Sequence, residues 1–356
     1  MIIHESKKHR IYLWDNLKFF LITMVVIGHC IDMFSGESRI CQSIFLFVYS
    51  FHMPLFLFIS GLFHSDKNIL SKCIYFFSVG MLLKILLFVM QQGTEEFQLL
   101  YESGIPWYMF VIAVYIVITY LLRNHNKKYI LILNIVFACF VGYDQSIGDF
   151  LCLSKAIVFY PFYLSGTLID PERMVSFKKR HRWIYILAAA VFLLWGFLCF
   201  TRLDLFYRLR HLFTGRNPFN LELVPHGALA RAFCYMISAV VSLALIILCP
   251  NKKIPVISKM GTRTLDVYFW HWPLFLVLDH FLHIKGLWSY GRTGKIIYLM
   301  IPLMISIVLS IGGPISYPLK KIRNASYDKI KENPHERKEK EEENVKQGFA
   351  NSHDQY

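Results

Sequence analysis

The chain has 356 residues, 55% of them hydrophobic and only 17% charged, with a formal net charge of +14 at neutral pH. Soluble domains carry about a quarter charged residues, so this composition and a mean hydropathy of +0.43 exclude an ordinary soluble fold. The apolar runs are also too long and too uniform for β-barrel strands, which are short and alternate in polarity.

The first apolar run follows Lys7-Lys8-His9-Arg10. It superficially resembles a leader peptide, but it is too long and no small-x-small cleavage site follows, so it is expected to stay as the first helix. Further apolar stretches lie near 40–63, 70–90, 106–122, 129–143, 152–169, 183–201, 225–249, 263–284 and 295–317. Most approach the roughly 20 residues that cross about 30 Å of hydrocarbon. The expected fold is therefore all-α and polytopic, with about ten transmembrane helices in residues 1–323. The charged tail at 324–356, with the run Glu336-Arg-Lys-Glu-Lys-Glu-Glu-Glu343, is expected to be a solvated helix or disordered.

The loops orient the chain. With the N-terminus in the cytoplasm, inner loops hold Lys67 and Lys72; Arg123, Lys127 and Lys128; Arg173 through Arg182; and Lys252 through Arg263. The outer stretches Gln91–Gly104 and Asp144–Phe150 contain neither Lys nor Arg. This asymmetry predicts both termini inside, and its basic excess favours anionic lipid on that leaflet. One outer loop departs from it, carrying Arg202, Arg208, Arg210 and Arg216. It reads either as an interfacial segment gripping headgroups or as a docking surface for an anionic glycan or lipid-linked phosphate.

Ionisable residues inside a bilayer are costly and default to functional candidates. Helix 1 carries Asp15, Lys18, His29 and, one turn beyond, Asp32. Lys18 and His29 are eleven residues apart, within roughly 20° of one helical face. Asp15 and Lys18 suit either a simple i,i+3 ion pair or a functional charge. His29 suits either an interhelical hydrogen bond or a general base, since imidazole titrates closest to physiological pH. The next stretch contains Ser50-Phe-His-Met-Pro54, where Pro54 removes a backbone donor and is expected to kink the helix beside His52. Trp107 stands at the outer start of the fourth stretch. Arg231 and His271 lie deep in later apolar runs; Arg231 suits pairing with a carboxylate or phosphate. The eight cysteines are scattered without metal-ligand spacing, and no metal site is expected.

Arg10 through His29, with a basic residue, ten residues and then histidine, resembles the opening helix of the acyltransferase-3 membrane family. Phe51-His-Met-Pro-Leu-Phe-Leu-Phe-Ile-Ser-Gly61, Pro106-Trp-Tyr-Met-Phe110, Tyr160-Pro-Phe-Tyr-Leu-Ser-Gly-Thr167 and Tyr268-Phe-Trp-His-Trp-Pro273 are similar to later family segments. The likeness covers most of residues 10–317, nearest the branch of fucose 4-O-acetylase-like and poly-N-acetylglucosamine intercellular-adhesion proteins. It implies an enzyme of the bacterial inner membrane, possible as a homodimer, with no nucleic-acid partner. Its reaction would move an acetyl group from cytoplasmic acetyl-CoA to a hydroxyl of a surface glycan or lipid-linked sugar. The resemblance implies His29 as the essential histidine and Lys18 as its basic partner. Asp32 is grouped with these two as catalytic. Lys67 and Lys72 match loosely the positions that hold the CoA phosphates, although the Arg-x-x-Arg form is absent. His52 and Arg231 are placed on the acyl-CoA side; Trp107, His271, Arg208 and Arg210 are placed on the acceptor side. The competing expectation is an exporter of a polysaccharide or lipid-linked glycan, for which no inverted repeat is visible. A purely structural membrane scaffold is the third.

Overall fold

A computed structural model describes residues 10–91, 97–102 and 104–331, and among these the fold is helical throughout. In chain order the helices are α1 (Tyr12–Asp32), α2 (Arg39–Tyr49), α3 (His52–Leu62), α4 (Ile69–Met90), α5 (Trp107–Leu121), α6 (Lys127–Phe140), α7 (Leu153–Thr167) and α8 (Pro171–Arg180). There follow α9 (Ile184–Thr201), the short α10 (Leu203–Phe206) and α11 (Arg210–Phe213), α12 (Gly227–Leu248), α13 (Pro255–Met260), α14 (Thr264–Leu282), α15 (Gly291–Ile311) and α16 (Tyr317–Lys331). The one isolated β-bridge among the described residues ties Tyr101 to Phe150.

Each apolar stretch read from the sequence is helical. Among the described residues, six helical segments are long and apolar enough to cross a membrane: α1, α2 with α3, α4, α9, Val224–Leu248 and α15. Helices α5, α6 and α7 have 15, 14 and 15 residues, or only about 21–23 Å at 1.5 Å per residue. Helix α14 has 19 residues but carries Asp266, His271, Asp279 and His280. Helices α4 and α9 bury only 22% of their most apolar window, so their remaining surface is apolar and faces outward, as lipid-facing helices require. Phe77, Ile85 and Val89 on α4 and Ile186, Leu193 and Phe197 on α9 make up that surface.

Local chemistry explains two boundaries. The 39–62 segment breaks at Ser50–Phe51, and Pro54 falls in the first turn of α3, where its missing N–H leaves no hydrogen bond unmade. The expected kink is thus a full break placed ahead of the proline. Side chains cover the break: Trp195 Nε1 donates to Ser50 Oγ at 2.8 Å, Ser50 Oγ donates to the Phe47 carbonyl at 2.7 Å, and His52 Nδ1 lies 2.8 Å from the Val48 carbonyl. At the other end of the 324–356 tail expectation, α16 runs through the expected boundary to Lys331. The rest of the tail, and Lys7 to His9, lie outside the described residues.

Helix α1 is the central pillar. Leu13, Trp14, Leu17 and Leu21 pack into one buried cluster, with α3, α9 and α12. Ile22, Val25, Val26, Cys30 and Ile31 pack into the other, with α5, α7, α14 and α15. Asn16 holds its N-terminal end by donating to the Pro250 and Lys252 carbonyls at 3.0 Å each and accepting from Ser258 Oγ at 2.7 Å. Its C-terminal end is held by Tyr298, whose hydroxyl donates to the Cys30 carbonyl at 2.8 Å. Helices α3 and α7 meet backbone to backbone at Gly61 and Gly166. A Cβ on either would lie 1.9 Å from the Tyr163 carbonyl oxygen or 2.1 Å from that of Phe58.

Candidate active site

The C-terminal half of α1 lines a cavity of about 950 Å³. His29 and Asp32 face it from α1, Tyr49 from α2, His52 from α3, Trp107 from α5, and Tyr268 and Trp272 from α14. Its mouth is formed by the connections after α1, α4, α6 and α9, all at the same end of the bundle. A second groove of about 710 Å³ adjoins it and shares Tyr207, Arg210 and His211.

His29 and His52 line the cavity, and a third imidazole, His271, packs against His29. The His29 ring stacks on that of His271 with centroids 5.5 Å apart and planes 26° apart, and meets Trp272 at 6.1 Å. The His52 ring is edge-on to Tyr49 at 4.7 Å. His271 is fully buried and does not reach the cavity surface. The acceptor-side role expected for it therefore has no direct contact to rest on, because the ring of His29 stands in front.

The cations sort by environment. Lys18 Nζ lies 3.1 Å from Asp15 Oδ1, and Arg10 Nε lies 2.7 Å from Asp15 Oδ2. Eleven residues of helix, about 16 Å, separate this cluster from His29. Lys67 and Lys72 lie at that same end, where Phe63 meets both Trp14 and Lys18. Lys72 Nζ donates to the Ser65 carbonyl at 2.7 Å. His64, between Tyr163 and Asp66, titrates below its ordinary range because burial outweighs the carboxylate beside it. At the cavity mouth, Arg210 stacks over Tyr207 at 4.6 Å and lines both cavities, while Arg208 lines the second. His211 also titrates low, through burial and then through Arg210 and Arg216. Among the described residues, none of Arg208, Arg210 and Arg216 sits in an ion pair.

Arg231 departs from the expected place. It is fully buried and lines neither cavity. Its guanidinium donates to Asn217 Oδ1 at 2.5 Å and to the Arg216 carbonyl at 3.2 Å, and stacks on Phe219 at 5.3 Å. It clamps the 202–224 connection through one guanidinium nitrogen, Nη2, which donates to both loop oxygens.

Two ion pairs at the mouth involve lysines within apolar runs, of which Lys84 stands out in the sequence while its partner Glu102 and the pair Lys155–Asp149 do not. Lys84 Nζ meets Glu102 Oε2 at 3.2 Å and donates to the Tyr101 carbonyl at 2.5 Å. Lys155 Nζ meets Asp149 Oδ1 at 2.6 Å and lies 3.5 Å from the Glu102 carbonyl. All four residues line the cavity and stitch the α4–α5 connection to the α6–α7 connection. The available signal was a lysine two residues into the apolar run Leu153-Ser-Lys-Ala-Ile-Val, where only a paired charge is tolerated.

These features define a multi-pass helical membrane protein with a large polar cavity at one end, walled by imidazoles, aromatics and cations. A family model described as an acyltransferase domain matches residues 11–313, nearly the whole helical bundle. The chain belongs to that family, the acyltransferase-3 membrane family, and is a membrane acyltransferase. No curated protein and no solved structure matches it.

Proposed function

We propose that this acyltransferase moves an acetyl group from cytoplasmic acetyl-CoA to a hydroxyl of an extracytoplasmic sugar or surface polysaccharide, with His29 as general base. The observation that carries the reading is His29 itself. It is an ionisable side chain well inside an apolar helix, at the wall of a cavity large enough for a sugar and a thioester together. The proposed setting is a bacterial inner membrane, with ten spans and both termini in the cytoplasm. The loop charges support that orientation, and it turns the cavity mouth outward.

In the proposed reaction the acceptor hydroxyl attacks the thioester carbonyl as His29 accepts its proton. The tetrahedral adduct then collapses, the C–S bond breaks, and the imidazolium returns the proton to the departing thiolate. Acetyl ester and CoA thiol are formed, and the enzyme is unchanged. Alignment of the two substrates in one cavity supplies much of the acceleration. Trp107, stacked on Phe159 with centroids 5.4 Å apart, offers an apolar face for a sugar ring. Arg208 and Arg210 are assigned to the acceptor. Lys67 and Lys72 are assigned to the CoA phosphates, and Lys18 to the path of the pantetheine arm. His52, which lines the same cavity, is assigned to the acyl-CoA side. Asp32, one turn from His29, faces the same space.

The test uses membranes from the host strain, which carry its own surface glycan. His29→Ala should remove acetyl-CoA-dependent ester formation while leaving inserted, full-length protein. Full transfer activity in that variant would end the reading.

A further inference from the structure

His271 is buried behind His29, and nothing in the proposed reaction uses it. Its Nδ1 lies 2.7 Å from the Tyr268 carbonyl and 3.1 Å from the Val267 carbonyl. A carbonyl oxygen can only accept, so Nδ1 carries the proton and Nε2 carries the lone pair. That Nε2 is buried and has no hydrogen-bond partner. Buried polar atoms in folded proteins are almost always satisfied, so an orphaned acceptor on a ring packed against a reactive one requires an explanation.

The imidazole packed against it is His29, with centroids 5.5 Å apart and planes 26° apart. Each imidazole nitrogen lies about 1.1 Å from its ring centroid. In the stacked arrangement the two rings make no hydrogen bond; turned so that a nitrogen of each points at the other, they would come within about 3.3 Å, the edge of hydrogen-bond range.

We propose that His271 is a positioning residue for His29, resting on the reading of His29 as the base. One His29 N–H donates to the lone pair on His271 Nε2. This bond fixes the His29 tautomer so that its other nitrogen presents a lone pair to the cavity. When His29 takes the acceptor's proton, its bond to His271 becomes charge-assisted and roughly doubles in strength. His271 neither gains nor loses a proton. The backbone carbonyls of α14 hold it as an acceptor throughout, the same orienting logic a third group supplies to a nucleophile–base pair. Because the bond strengthens only as charge develops, the gain lies in the transition state and appears in kcat.

The experiment titrates host-strain membrane vesicles carrying each variant with acetyl-CoA and follows CoA thiol release. His271→Leu should lower kcat roughly 10- to 100-fold with little change in KM for acetyl-CoA. His271→Gln should recover to within a few-fold of the parent, because its Oε1 stands near the former Nε2. Equal thermal midpoints for the two purified variants would exclude a folding defect as the cause of the difference. Parental kcat in His271→Leu, or equal impairment of the Leu and Gln variants, would overturn the inference. If His29→Ala is inactive while His271→Leu is unimpaired, only this inference fails; if His29→Ala is active, the base assignment fails and takes the inference with it.

Discussion

Replacing Gly61 by alanine tests how tightly the cavity depends on helix packing far from its chemistry. The added Cβ would lie 1.9 Å from the Tyr163 carbonyl oxygen, a backbone atom that no rotamer change can move. Restoring an ordinary contact of 3.4 Å requires α3 and α7 to separate by about 1.5 Å. Small residues at such crossings let membrane helices approach backbone to backbone, so the displacement loses van der Waals contact along the whole crossing. Overpacking of this kind costs typically about 1–3 kcal/mol, and a clash with main chain belongs at the upper end. The functional cost follows from what the two helices carry. Helix α3 begins at His52 and α7 bears Lys155 and Phe159, all lining the cavity. A shift near 1 Å in a catalytic constellation can cost about 100-fold in rate. Gly61→Ala should therefore lower the thermal midpoint in detergent and reduce acetyl transfer by about that factor, with protein still inserted. Gly196→Ala on α9, where the nearest neighbouring atom is 3.6 Å from the new Cβ, should be silent in both assays. A Gly61→Ala protein as stable and active as Gly196→Ala would refute the argument that this crossing sets the cavity's shape.

Other outcomes follow from the same geometry. Lys155→Met leaves Asp149 without its counterion; because Asp149 is 37% exposed, the loss should be about 1–3 kcal/mol rather than the full cost of a buried charge, read as a lower midpoint of unfolding. Gly261→Ala places a Cβ 1.8 Å from the Asp15 carbonyl oxygen and should raise KM for acetyl-CoA through displacement of the Asp15–Lys18 cluster; unchanged acetyl-CoA kinetics would leave that cluster a packing device. His211 titrates below 6.5 in the fold, so between that value and its folded one the unfolded chain binds more protons and stability falls as pH falls. His211→Gln should accordingly lose less stability than the parent between pH 7 and pH 5 in thermal scans. Trp195→Phe removes the donor to Ser50 Oγ at the break between α2 and α3 and should cost about 1 kcal/mol with a measurable loss of activity.

The sequence exposed what depends on local chemistry. Apolar length marked the helices. The i,i+3 spacing of Asp15 and Lys18 gave their ion pair, and an imidazole near the end of α1 gave a cavity wall. What it hid depends on how distant segments meet. The partner of Arg231 is a loop residue, Asn217, close in sequence but reached only because the connection folds back over α12. Glu102 and Asp149 look like ordinary polar loop residues until two connections close over one mouth and set lysines against them. His271 and His29 each look like a candidate ligand contact; which of the two stands in front is decided by the rotation of α14 against α1, which no local pattern specifies. Proline at position 54 pointed to a disturbance but not to its form, because a proline in a first turn costs nothing once the chain breaks ahead of it.

The pairing of helix α1 with the last third of the chain has a consequence for biogenesis. Membrane helices emerge from the ribosome in order, and the hydroxyl that caps the Cys30 carbonyl lies 268 residues downstream of it. A nascent chain thus carries its imidazole into the bilayer long before α14 and α15 arrive to back and tether it. On the proposed function, the site that would spend an acyl donor is therefore completed only when the closing helices of the bundle are in place.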